Sequence, residues 1–166
     1  MDDRRSETSS IESDAEPDAV LTMLEDGARV PEWAPAFADV AVRDGAAWRA
    51  TKNGSEFSFR VASERAAGTV DYLREVAPGV ENGAFVRALP RLGGGCVIAM
   101  TLPVRPGVDP AEVRATLAAE LGRIAALASR SVQSSRASRS LMLSRRVART
   151  LRPFSTMTAA ARGTRL

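Results

Sequence analysis

The 166 residues leave room for one domain and a tail, and they contain no histidine and a single cysteine, Cys96. That excludes a Ser-His-Asp or Cys-His nucleophile system, a histidine-ligated metal and an internal disulfide. All 20 acidic residues lie at or before Glu120, while nine arginines and no acids follow from Arg130 onward, so an acidic body is joined to a basic tail.

The N-terminus, MDDRRSETSSIESD, lacks the apolar core of a signal peptide, and no apolar run reaches the length of a membrane span. The cytoplasm is therefore the expected compartment. Residues 1–6 read as disordered, and 8–13 as a first strand in which only Ile11 is apolar. Pro17 opens a short helix with Val20, Leu21, Met23 and Leu24 on its buried face, and Gly27 ends it. A second helical piece follows over 30–40, where Trp33 and Phe37 are four apart and share a face.

The hydrophobic period then changes. Strands are predicted over 40–43, 47–52, 55–62, 68–74, 84–89 and 96–104, with Asp44-Gly45 and Asn53-Gly54 as hairpin turns and 78–83 as a loop. In 55–62, Phe57, Phe59 and Val61 alternate with Glu56, Ser58 and Arg60. Gly93-Gly94-Gly95 is a turn; it lacks the Lys-Ser/Thr and the helix that a phosphate loop needs. Asp109 caps the best-specified helix, 109–129, with Pro110 at its first position. Val113, Leu117, Leu121, Ile124 and Ala128 form its apolar stripe, and Arg114, Glu120 and Arg123 are read as pointing to water. Residues 130–166 read as a largely disordered basic tail, with a possible short amphipathic helix over 141–152.

The order is a strand, two short helices, about six strands on tight turns, and one long helix. This is an α+β arrangement in which a curved antiparallel sheet wraps a helix and encloses a space able to hold a ligand. Trp33 either packs on the sheet or lines the mouth of that space. Phe57 and Phe59 of one strand, and Ile98 and Met100 of the last, alternate onto core or pocket wall, opposite Leu117 and Leu121 of the helix. Tyr72 and Asp71 point to opposite faces; if Tyr72 faces inward, its hydroxyl is a polar handle for a ligand, and if not, Asp71 is the buried acid. Arg87 shares a face with Phe85 and Leu89, either as a pocket arginine reading an anionic ligand or as a residue reaching out to water.

Four stretches together resemble the SRPBCC superfamily of polyketide cyclase/dehydrase and lipid-transport type. They are VPEWAPAFA at 30–38, GTVDYL at 68–73, VRALP at 86–90 followed by 96–103, and PGVDPAE at 106–112. The family often has histidine where Tyr72 stands. The resemblance covers roughly residues 7–129 and implies a helix-grip, START/Bet v 1-like fold: six to seven antiparallel strands around a long C-terminal helix, with two short helices after the first strand. It implies binding of a small hydrophobic or aromatic metabolite in an apolar cavity, without metal or cofactor. The candidate ligand residues are Trp33, Phe57, Phe59, Tyr72, Phe85, Arg87, Ile98, Met100, Leu117 and Leu121. One alternative is a polyketide aromatase/cyclase-like enzyme using Tyr72 and Arg87. Another is binding of nucleic acid or an anionic membrane through the tail.

Overall fold

A computed structural model describes residues 5–150 of the chain, with side chains described from 6 to 131. The described residues up to Gln133 form one compact unit. Its elements are β1 (Arg5–Ser13), α1 (Pro17–Leu24), a 3₁₀ turn (Gly27–Arg29), α2 (Val30–Trp33), β2 (Val40–Asp44), β3 (Ala47–Lys52), β4 (Ser55–Glu64), β5 (Thr69–Ala77), β6 (Val80–Pro90), β7 (Cys96–Val104) and α3 (Pro110–Thr150).

The seven strands form one antiparallel sheet in the order β1-β7-β6-β5-β4-β3-β2. Tight turns account for every neighbour except one. β1 crosses over to pair with β7 along its whole length, from Arg5↔Val104 to Ser13↔Cys96. That pairing is why a strand with one apolar residue is nine residues long: its backbone is held by the ladder, and Ile11 stands opposite Ile98. A polar outer face also suits a sheet edge.

The 78–83 loop expected from sequence is shorter in the structure. The hairpin closes at Pro78-Gly79, and Asn82 and Gly83 already belong to β6. Gly83 is needed there for close approach rather than for a turn, because a Cβ would stand 1.8 Å from the Tyr72 carbonyl oxygen.

α1 buries Val20, Leu21, Met23 and Leu24, as its sequence pattern implies. The chain then turns beneath β3, where Gly27 lies flat against the Trp48 ring. A Cβ at Gly27 would be 2.5 Å from two ring carbons. Gly27→Ala is therefore expected to cost about 1–3 kcal/mol through overpacking. A lowered thermal midpoint checks this, and an unchanged one would mean that Trp48 does not rest on this glycine.

α3 begins where the cap was expected, with Asp109 Oδ1 accepting the Ala111 N–H at 2.9 Å. Leu117, Leu121, Ile124 and Ala128 are fully buried against the sheet, and Val113 and Leu127 are partly so. The helix continues past Ser129 to Thr150. Side chains of the basic tail, including the amphipathic stretch read over 141–152, lie outside the described residues, as do residues 1–4 and 151–166. Among the described residues no helix is long and apolar enough to cross a membrane.

Candidate ligand site on the inner face of the sheet

Burial fixes which face of each strand looks towards α3. On β5, Val70 and Tyr72 are buried while Thr69 and Asp71 are half-exposed; on β7, Ile98 and Met100 are fully buried. The inner wall is thus built from Phe59, Tyr72, Ile98 and Met100 on the sheet and Leu117 and Leu121 on α3. Phe57, one step along β4 from Phe59, is partly buried on the same side. Phe59, Tyr72, Ile98, Met100, Leu117 and Leu121 share one buried cluster, with Phe57 packed against it.

An aromatic cluster forms one side of this interior. The Phe37 ring meets those of Phe57 and Phe59 edge-on, with centroids 5.0 and 5.5 Å away. Trp33 packs on Tyr72 at 5.1 Å, and Phe59 lies 6.3 Å from Tyr72. Edge-on and tilted contacts are the arrangements that ring quadrupoles favour. Trp33 is 2 % exposed, and its indole Nε1 has no hydrogen-bond partner among the described residues. It therefore packs on the sheet while holding a buried donor unpaired.

Tyr72 faces inward, but its hydroxyl is committed. It donates to the Leu24 carbonyl at 2.6 Å, satisfying an acceptor at the end of α1. Burial pushes the phenol well above its ordinary pKa, and the nearby acids Glu25 and Asp26 push it further. Such a group is a structural tie and a poor proton donor to a substrate.

Arg87 and Phe85 lie on the other face. They share the outer side of the sheet with Asp71, and the Arg87 guanidinium donates to Asp71 at 2.6 Å. Since Val86 and Ala88 take the buried positions on β6, neither Phe85 nor Arg87 joins the inner wall. A half-exposed ion pair of this kind contributes ~1 kcal/mol or less.

Two further charged residues had not been singled out as site residues. Arg74 follows Tyr72 by two on β5, so it points inward; its guanidinium lies 4.9 Å from the Phe57 ring centroid, in the cation–π range. No carboxylate partners it among the described residues. The alternation already visible at Val70 and Tyr72 was the signal for it. Glu120 is a correction: read as solvent-facing, it is only 5 % exposed. Burial raises its carboxyl from 4.5 to about 7, against a weaker downward pull from Arg123.

One ion contact ties the start of α3 to β1. Arg114 donates to Glu7 of β1 at 3.0 and 3.1 Å, so that flank faces the β1 edge. At 3.6 residues per turn, Glu120 lies about 120° round from Arg114, beside the buried stripe. Cys96 is buried with its thiol pushed up by desolvation, which marks it as a small apolar core residue.

No family model matches the sequence, and no curated protein matches it. Solved structures do match in fold. The Zhui aromatase/cyclase from Streptomyces sp. R1128 is 18 % identical, with 78 % of this chain and 96 % of that one covered and a TM-score of 0.54. A START superfamily protein from Mycobacterium smegmatis is 16 % identical, with 77 % and 97 % covered and a TM-score of 0.52. The di-domain ARO/CYC BexL of the BE-7585A biosynthetic pathway is 22 % identical, with 73 % of this chain but 45 % of that one covered and a TM-score of 0.52. At these identities the likeness concerns the fold alone. The seven-stranded sheet, the two short helices after β1 and the long C-terminal helix are those of an SRPBCC/START-like, helix-grip fold.

Proposed function

We propose that this protein binds a small hydrophobic or aromatic molecule between the inner face of its sheet and α3. The observation that carries the reading is the Trp33 indole N–H, which is buried beside apolar and aromatic side chains without an acceptor. A buried donor left unpaired costs about 1–3 kcal/mol, so native proteins rarely retain one. A ligand oxygen beside Trp33 removes that cost. The Arg74 guanidinium, which stacks on Phe57 and has no carboxylate partner among the described residues, supports the reading, as do the START-like and aromatase/cyclase structures that share the fold.

The test is a titration of the full chain with acetylnaphthalene, whose ketone oxygen can accept from the Trp33 indole, followed by tryptophan fluorescence. Saturable binding is expected, and Arg87→Ala leaves it unchanged because Arg87 is on the outer face. Absence of saturable binding counts against the reading. A loss confined to Arg87→Ala moves the ligand to the wrong side of the sheet.

A further inference from the structure

We propose that Arg74 and Asn82 form the head-group end of this interior, and that the ligand is a carboxylate carried on an apolar, aromatic body. The inference rests on the binding reading above and names its ligand class. Along β5 the inner-face residues run from buried to open: Val70 and Tyr72 are buried, Arg74 is half-buried and Val76 is 50 % exposed. β6 follows the same gradient, from buried Ala88 and Val86 to half-buried Ala84 and Asn82. The inner face of these two strands therefore emerges into water at the hairpin end, and Arg74 and Asn82 stand at that opening.

Contacts place both side chains. The Arg74 guanidinium lies over the Phe57 ring, 4.9 Å from its centroid, and Phe57 meets Phe37 at 5.0 Å, so the arginine ends the aromatic cluster. Asn82 stands directly opposite Arg74 in the β5–β6 ladder, which puts the two side chains on one face. The Asn82 side-chain oxygen accepts the Gly83 N–H at 2.7 Å, leaving its amide NH₂ to donate. Arg74 has no hydrogen bond or ion pair among the described residues. The neighbouring acids are engaged on the opposite face: Glu75 accepts from the Gly79 N–H, and Glu81 pairs with Arg60.

The ligand chemistry follows from these donors. Arg74 is charged at any working pH, and its planar fork matches the two oxygens of a carboxylate. An ammonium group is repelled there, and a neutral oxygen leaves the charge uncompensated. The next inner-face residue on β5 is Tyr72, about 7 Å along the strand. Its hydroxyl is taken by Leu24 and Trp33 packs on its ring, so the body of the ligand meets aromatic surface.

The experiment compares acetylnaphthalene, acetylnaphthoate and the matching aminomethyl compound on the full chain at about pH 6, where a carboxylic acid is ionised and an amine protonated. All three carry the ketone and the rings, so only the head group differs. The carboxylate is expected to bind roughly tenfold more tightly than the neutral ketone, the scale of one hydrogen bond to a charged group. Arg74→Met removes that preference while the neutral ketone still binds, and Arg74→Gln reads the same distinction if the methionine variant fails to fold. Arg43→Met, which removes the guanidinium over Trp48 at the β2 edge, leaves the preference intact. The proposal is overturned if the amine binds tightest, if the preference survives either Arg74 variant, or if Arg43→Met abolishes it. Equal binding of all three probes overturns the Arg74 assignment and leaves the binding reading standing. Saturable binding of none removes both.

Discussion

Phe59→Ala lowers the stability of this protein by about 3–5 kcal/mol, the range for deleting a large buried ring. Phe59 is the hub of the aromatic cluster, touching the rings of Phe37, Trp48 and Tyr72. No single neighbour can collapse into the space, because each is held elsewhere: Trp48 against Gly27, Tyr72 by its bond to Leu24. The residual cavity therefore stays open, and the cost lies at the upper end. Phe57→Ala, at a partly buried position, costs less than half as much on the same transfer argument. Urea unfolding with an unchanged slope checks both. A loss below about 1 kcal/mol for Phe59→Ala would mean that the cluster is not part of the cooperative core.

Glu120 makes stability depend on pH in a direction unusual for a carboxylate. Burial raises its folded value to about 7, above the ordinary 4.5 of a glutamate carboxyl. Between those values the folded chain holds a proton that the unfolded chain has released, so stability falls as pH rises through this window. Above about 7 the folded state also releases it, and the loss levels off. A shift of this size corresponds to about 3 kcal/mol. In Glu120→Gln this dependence is gone. The stability of the variant relative to the unmodified chain therefore rises by about 3 kcal/mol between about pH 4.5 and about pH 8, with the other acids cancelling in the comparison. A difference that stays flat across the window would mean that the carboxyl is ionised in water on the helix surface.

That same residue shows where sequence reasoning stopped. The stripe Leu117, Leu121, Ile124, Ala128 was legible because apolar residues at a 3.6-residue period have one sensible place to go. Glu120 sits just off the stripe, and a charge there is ordinarily outside. Its burial depends on the tertiary packing of α3, which no local pattern encodes. On β5 the alternation separated Tyr72 from Asp71, and on β6 it grouped Arg87 with Phe85, but alternation does not say which face is inside. Burial of Val70 and Val86 decides it, and it moves Phe85 and Arg87 outward. β1 was faint for a related reason: a polar edge strand owes its existence to the β7 ladder, 93 residues away at the Thr8–Thr101 contact. Asn82-Gly83 carried a turn signal but serves close packing inside β6, since a glycine needed for space looks the same in sequence as one needed for a turn.

The most direct measurement is the proton–nitrogen correlation spectrum of the two tryptophan indoles during titration of the full chain with acetylnaphthalene. Trp33→Phe identifies the Trp33 signal. If a ligand occupies the interior and pairs with the free indole N–H, the Trp33 resonance moves downfield and saturates with the binding curve. A Trp33 resonance that stays in place while the probe binds would contradict the account, because the ligand would then lie somewhere other than between the sheet and α3.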